Sequence, residues 1–66
     1  MKIIFNGEPL SIDAETTVSK ILEQFEIDRL QVAVEVNLEI VPRADLDKHL
    51  VQDGDRIEVV TLVGGG

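Results

Sequence analysis

Hydrophobic and polar residues alternate in three parts of the chain. Each alternation predicts a β-strand, because successive side chains of a strand point to opposite faces of the sheet. The three parts are residues 2–6, 31–36 and 56–62. A turn signal at residues 6–9 predicts that residues 10–13 pair back on the first strand. Another short strand is predicted at Ile40 and Val41, and it ends at Pro42 because proline has no N–H to donate to a ladder.

One segment has apolar residues at helical spacing instead. Val18, Ile21, Leu22 and Phe25 fall at i, i+3, i+4 and i+7, which places them on one face of a helix. The two threonines before Val18 offer an N-cap. The spacing therefore predicts one amphipathic helix that ends between residues 25 and 27. The rest of the chain is predicted to contain a short helical turn or loop at residues 44–50 and a reversal at residues 53–55.

The element order β-β-α-β-β-β predicts an α+β domain in which one main helix packs on one face of a mixed sheet of four or five strands. The sheet residues expected to pack against the helix are Ile3, Phe5, Val32, Val34, Ile57 and Val59. The apolar residues expected on the uncovered face are Ile4, Ala33, Val60 and Leu62. Apolar residues gathered on an uncovered face are typical of a docking surface. We therefore predict that Ile4, Val60 and Leu62 dock a protein partner and that Glu35 and Glu58 steer its approach.

Three glycines, Gly64, Gly65 and Gly66, follow the last predicted strand. Glycine has no side chain and loses the most conformational entropy on ordering, so a folded domain gains little from such a segment. We expect a domain at residues 1–63 and a flexible tail at residues 64–66. Three residues span roughly 10 Å. The tail is therefore predicted to thread into a narrow tunnel of a partner and to present the carboxylate of Gly66.

Composition narrows the classes of partner. The chain has 66 residues, which is the size of one small domain, and 13 acidic against 6 basic residues give a net charge of −7. That charge disfavours nucleic acids and anionic membranes and favours proteins with basic patches, although acidity also serves solubility alone. Apolar runs fall short of the roughly 20 residues of a membrane span. We expect a cytoplasmic protein that is monomeric when free.

Side chains that carry catalysis or bind metals are scarce. The absence of cysteine and the single histidine, His49, argue against cysteine-based and histidine-rich metal sites. His49 lies among acidic residues and is expected to be a solvated loop histidine, while Ser11 and Ser19 have no candidate base nearby in the sequence. Phosphate-binding glycine loops are also missing. These features predict a protein that is not an enzyme and binds no metal or cofactor.

The whole chain resembles the ubiquitin-like sulfur carriers of the β-grasp fold, and within them the ThiS family of thiamine biosynthesis. The resemblance rests on residues 3–7 (IIFNG), 33–37 (AVEVN), 40–43 (IVPR) and 53–55 (DGD), on Thr17, Val18 and Leu22, and on the final Gly65-Gly66. Two features depart from the family pattern. Leu38 stands where the family often has glycine after the turn asparagine, so we expect a longer turn or one of another type. Gly64 adds a third glycine.

The resemblance implies a carrier function. An E1-like adenylating enzyme would use ATP to convert the Gly66 carboxylate to an acyl-adenylate. A persulfide sulfur donor would then displace AMP and leave a thiocarboxylate. That thiocarboxylate would give its sulfur to thiazole synthase for the thiazole ring of thiamine. The chain itself would supply the carboxyl group and a surface for recognition.

Three other functions stay open from the sequence. The small subunit of molybdopterin synthase shares the Gly-Gly end, but it is usually longer and commonly has prolines before the glycines, where this chain has residues 61–63 (TLV). A ubiquitin-like protein modifier would form isopeptide bonds through the same activated terminus. A non-catalytic β-grasp interaction module would have an inert tail.

Overall fold

The computed structural model describes residues 1–13 and 15–62. The predicted tail at residues 64–66, including the Gly66 carboxylate, and the last residue of the predicted domain lie outside the described residues. The predicted division of the chain at residue 63 therefore stays a prediction. The described ranges contain all of the predicted strands and the predicted helix.

Five strands and one α-helix make up the described fold. The elements are β1 at Lys2–Phe5, β2 at Glu8–Ser11, α1 at Val18–Gln24, β3 at Val32–Val36, β4 at Glu39–Val41 and β5 at Arg56–Thr61, with short 3-10 helices at Arg29–Gln31 and Arg43–Asp45. The strands form one sheet in the order β2-β1-β5-β3-β4. The β1–β5 pair is parallel and the other pairs are antiparallel. This is the predicted α+β arrangement, a mixed sheet with one main helix.

Strand β2 begins earlier than predicted, at Glu8 instead of residue 10, because the first hairpin turn contains only two residues. Asn6 and Gly7 both have positive φ, 50° and 84°, so Glu8 pairs directly with Phe5. Glycine adopts this conformation without steric cost and asparagine tolerates it better than most residues. The turn signal in the sequence was therefore right, and its length was overestimated by two residues.

The second hairpin turn corrects the expectation for Leu38. Asn37 and Leu38 form a two-residue turn with φ of 53° and 72°. The turn is therefore not longer than two residues, and Leu38 does adopt a positive φ. Asn37 is held in place from three sides: its N–H donates to the Arg56 carbonyl (2.8 Å), its Nδ2 donates to Asp55 Oδ1 (3.0 Å) and its Oδ1 accepts from the Arg56 N–H (3.0 Å). These contacts fix the register, and Leu38 takes the left-handed conformation that the register requires.

Helix α1 lies over the sheet with Thr17 as its N-cap, whose side chain accepts a hydrogen bond from the Lys20 N–H. A helix of seven residues is marginal alone, so packing must stabilise it. The buried hydrophobic core comprises Ile3, Ile12, Val18, Ile21, Leu22, Val32, Val34, Val36, Val41, Leu46, Val51 and Ile57. The predicted packing of Val18, Ile21 and Leu22 against the strand residues is therefore confirmed for this set.

Phe25 is a correction to the predicted core. Its side chain is 42% exposed and stacks on Phe5 with ring centroids 4.9 Å apart, while Phe5 and Val59 are only partly buried. The cause is the end of α1 at Gln24. Glu26 adopts a φ of 57° and the Ile27 N–H donates to the Leu22 carbonyl, which turns the chain away from the helix axis. Phe25 thus covers the edge of the core and does not enter it.

Loop residues complete the core and pack beside the helix start. The sequence predicted a short helical turn or loop at residues 44–50 but assigned no core residue to this region, where Leu46 and Val51 are each 2% exposed. The first helical N–H groups, of Val18 and Ser19, donate to the carbonyls of His49 (3.1 Å) and Leu46 (3.0 Å). The loop therefore supplies hydrogen-bond acceptors for the helix N-terminus as well as apolar side chains.

One ion pair ties this loop to the segment after α1. Arg29 Nη1 donates to Asp47 Oδ1 (3.0 Å) and to Ser19 Oγ (3.4 Å), and Nη2 donates to the Arg43 carbonyl (3.3 Å). The hydrogen bond from Arg29, with a further contribution from Ser19, holds the pKa of Asp47 below its ordinary value of 3.8. A depressed carboxyl pKa stabilises the folded state above that ordinary value, and the contribution is lost as the pH falls below it.

Candidate docking surface

The sheet face away from α1 carries most of the predicted docking residues. Side chains alternate along β3 and β5, so Ala33 and Val60 lie opposite each other on this face, beside the facing pair Glu35 and Glu58. The Val60 side chain is 54% exposed. The two strands therefore bring together Val60, Glu35 and Glu58, three of the residues that the sequence assigned to docking, with Ala33 opposite Val60.

Leu62 joins this group from just beyond the end of β5. Its N–H donates to the Gln31 carbonyl (2.7 Å), which continues the β3–β5 pairing past Thr61. Leu62 is 50% exposed and lines a shallow cavity of about 150 Å³ together with Ala33, Ile40 and Pro42. Leu62 is also the last described residue before the glycines, so this cavity lies where the chain leaves the sheet.

Ile40 belongs to the same surface, although the sequence pattern did not predict it there. It pairs with Glu35 across β3 and β4 and is 68% exposed. The two-residue turn at Asn37 and Leu38 sets this register. The longer or different turn expected from the sequence left the register of β4 undefined. We call Ala33, Ile40, Val60 and Leu62 the apolar patch.

Ile4 lies on the same face but outside the apolar patch. It is level with Arg56 in the parallel β1–β5 pair, four residues before Val60 along β5. At about 3.3 Å per residue, that separation is roughly 13 Å. Ile4 is also partly buried and pairs with Pro9 on its other side. The structure therefore groups Val60 and Leu62 and leaves Ile4 apart from them.

Two carboxylates of like charge face each other beside the apolar patch. Glu35 and Glu58 are directly paired across β3 and β5, and both are partly buried. Within residues 1–13 and 15–62, the ion pair present joins Arg29 and Asp47, so no cation neutralises the two glutamates there. Like charges in this position destabilise a sheet. This pair therefore costs stability while it gives the surface a local negative charge.

The other polar residues that the sequence singled out have structural roles. Asp53 Oδ1 accepts from the Lys2 N–H (2.7 Å), and Asp55 Oδ2 accepts from the Gln52 N–H (2.8 Å), which confirms a turn at Asp53 and Gly54. Ser19 is buried against Arg29 and Ser11 lies exposed on β2. His49 lies in a loop, as predicted, and is partly buried: it lines an open groove of about 650 Å³ with residues that include Asp45 and Lys48.

Two kinds of site are absent from the part of the chain that the structure describes. Residues 1–13 and 15–62 contain no cluster of three or more His, Cys, Asp or Glu side chains placed to hold a metal ion. No helix in these ranges has the length and hydrophobicity needed to cross a membrane. What the geometry does offer is an acidic and apolar surface next to the segment that leads to the glycines.

Comparison with known proteins decides the family. The model of the ThiS family matches residues 3–66. The chain belongs to the ThiS family. A relative from Escherichia coli named "Sulfur carrier protein ThiS" is 38% identical, and the match covers 100% of both chains. A relative from Paramagnetospirillum magneticum named "Thiazole synthase" is 44% identical over 100% of this chain, which spans only 20% of that protein.

A solved structure supports the same assignment for the fold. The crystal structure of the thiamine biosynthesis protein ThiS from Geobacter metallireducens superposes with a TM-score of 0.85 at 32% identity, and the match covers 100% of both chains. The predicted β-grasp fold and the predicted membership in the ThiS family are therefore confirmed. The assignment of individual docking and tail residues is not tested by these comparisons and stays a prediction.

Proposed function

We propose that this ThiS-family chain carries sulfur as a thiocarboxylate on Gly66 and donates it for the thiazole ring of thiamine. The observation that carries the proposal is the match over 100% of both chains to the E. coli protein named as a sulfur carrier. The family match, which extends to residue 66, includes all three glycines. We also propose that these steps take place in the cytoplasm, where ATP is available.

Chemistry of the carboxylate explains why partners are needed. A carboxylate is a poor electrophile, so an E1-like enzyme first uses ATP to form an acyl-adenylate at Gly66 and releases pyrophosphate. The terminal sulfur of a persulfide then attacks the acyl carbon, a C–S bond forms and AMP leaves. Reduction of the remaining S–S bond by a thiol frees the thiocarboxylate. The partners supply acid–base and electrostatic catalysis for these steps, and ATP binds to the activating enzyme.

The apolar patch is the part of this chain that we assign to recognition of the activating enzyme. Exposed apolar side chains such as Val60 and Leu62 are able to anchor an interface, because their burial on binding removes apolar surface from water. Glu35 and Glu58 are placed to attract a basic surface and to speed association. Leu62 lies directly before the last four residues, so an enzyme that binds the apolar patch also lies close to the tail that it must receive.

Thiazole synthase is the acceptor that the relatives favour over molybdopterin synthase or a lysine of another protein. A protein of that name from Magnetococcus marinus, like the one from P. magneticum, matches 100% of this chain within 20% of its own length. A carrier-like segment and the acceptor therefore occur in one polypeptide in these organisms. We propose that this chain delivers its sulfur to a thiazole synthase.

Intact mass spectrometry tests the proposal. The chain is incubated with the activating enzyme, ATP and a persulfide donor, and the expected product is heavier by the exchange of one oxygen for one sulfur. A variant with one alanine added after Gly66 keeps the apolar patch but moves the carboxylate, and we expect it to gain no sulfur. Gly65→Val is expected to react poorly because its branched side chain restricts φ and fills space. Lack of a product with the wild-type chain and an active enzyme would overturn the proposal, and lysine conjugates would favour a protein modifier.

A further inference from the structure

Strand β5 is an interior strand at its start and an edge strand at its end. On one side, β3 accompanies it from Ile57 to Thr61. On the other side, β1 pairs with it only at Arg56 and Ile57, because β1 ends at Phe5 and turns away. Among the described residues, no strand lies beside β5 on that side after Ile57.

Alternation of the main-chain groups shows which of them face the free edge. The Leu62 N–H donates to Gln31 and the Arg56 carbonyl accepts from Asn37, so even-numbered residues of β5 bond to β3. The Ile57 carbonyl accepts from the Asn6 N–H (2.9 Å), so odd-numbered residues face the β1 side. The Val59 carbonyl and the Thr61 N–H therefore point toward an edge that no described strand occupies.

The start of this edge is closed by a side chain, and an exposed ring lies beside it. Asn6 Oδ1 accepts from the Val59 N–H (2.8 Å) and so replaces the carbonyl that a longer β1 would supply. Phe5, the last residue of β1, pairs with Ile57 and carries the stacked ring of Phe25, which is 42% exposed. The free edge is therefore short, begins at a defined point and has apolar surface at its beginning.

We propose that an extended segment of the activating enzyme adds to this edge as a strand. A main-chain carbonyl of that segment accepts a hydrogen bond from the Thr61 N–H, and a main-chain N–H of it donates to the Val59 carbonyl. Unpaired strand edges bind extended peptides in this way. The inference rests on the proposed function, since that enzyme must hold the residues that follow Thr61 in order to reach Gly66. Two added main-chain bonds fix the direction in which the chain enters the enzyme. The net charge of −7 favours a segment with basic side chains.

Hydrogen exchange of single amides gives a first test. In the free chain we expect the Thr61 amide to exchange quickly, while the neighbouring amides of Val60 and Leu62, which face β3, exchange slowly. In the complex with the activating enzyme, the Thr61 amide is expected to become protected to the level of those neighbours. Fast exchange of the Thr61 amide in a saturated complex would overturn the inference.

Replacement of one amide by an ester gives the second test, because it removes an N–H and leaves every side chain in place. A chain of 66 residues is short enough for chemical ligation. An ester at Thr61 is expected to lower the unfolding midpoint only slightly, because it removes no hydrogen bond within the chain and only weakens the Val60 carbonyl as an acceptor from β3. It is expected to weaken binding to the enzyme about tenfold, as loss of one hydrogen bond implies. An ester at Leu62, whose N–H bonds to the Gln31 carbonyl within the chain, is the matched control and is expected to lower the midpoint more than the Thr61 ester does.

The two proposals fail separately in these experiments. If the wild-type chain acquires a thiocarboxylate while the Thr61 ester binds with unchanged affinity, strand addition is wrong and the carrier function stands. If the wild-type chain is neither bound nor modified by an activating enzyme that is active on its own substrate, the proposed function fails and the inference fails with it.

Discussion

Replacement of Leu38 by glycine tests the account of the second hairpin turn. Leu38 has a φ of 72° and a side chain that is 78% exposed. The left-handed conformation costs an L-residue about 1–2 kcal/mol, whereas glycine adopts it freely. Glycine in turn loses more backbone entropy on folding, which costs about 0.5–1 kcal/mol. The expected net gain for Leu38→Gly is therefore about 0–1.5 kcal/mol in the free energy of unfolding.

A matched control isolates the strain. Leu30 is also exposed, at 66%, and is not among the described residues with positive φ. Leu30→Gly is expected to lose stability by about 0.5–1 kcal/mol, because the entropy cost is present without relief of strain. Urea denaturation of both variants should place Leu38→Gly about 1–2 kcal/mol above Leu30→Gly. Equal losses in the two variants would refute a strained Leu38.

Three further predictions concern the core and the docking surface. Leu22→Ala should lower the free energy of unfolding by about 2–5 kcal/mol because the side chain is buried, and Phe25→Ala by only about 1–2 kcal/mol because the ring is half exposed. Equal losses of the two variants in urea denaturation would contradict the described core. Val60→Asp should weaken binding to the activating enzyme about tenfold or more, while circular dichroism shows that the fold is retained. Leu50→Asp, at a position equally exposed but outside the apolar patch, should bind normally. Glu58→Gln should raise stability by about 0.2–1 kcal/mol and slow association at low salt, and unchanged association kinetics would exclude steering by this residue.

The sequence predicted the regular elements well because each has a local pattern. Alternation places β1, β3 and β5, and the i, i+3, i+4 spacing of Val18, Ile21 and Leu22 places α1. The same spacing overextended the buried stripe to Phe25, because the end of the helix depends on the left-handed Glu26, and nothing in that spacing signals it. Local patterns therefore fix where elements lie better than where they end.

Tertiary contacts explain what the sequence could not provide. Leu46 enters the core because main-chain carbonyls of its loop accept hydrogen bonds from the N–H groups at the start of α1, and residues far apart in the sequence make that contact. Ile40 joins the apolar patch through a register set by Asn37, whose side chain reaches Asp55 and the main chain of Arg56. The low preference of leucine for positive φ favoured another type of turn at Leu38, but the contacts of Asn37 with β5 outweigh that preference. The sequence therefore predicted Val60 and Leu62 of the apolar patch but not Ile40.

Transfer of sulfur from the chain to thiazole tests the central claim most directly. The chain is loaded with an isotope of sulfur at Gly66, purified, and mixed with thiazole synthase and its other substrates for a single turnover. We predict that the isotope appears in the thiazole ring and that the chain returns to the mass of the free carboxylate. Isotope that stays on the chain in the presence of active thiazole synthase, or moves to a different acceptor, would contradict the account.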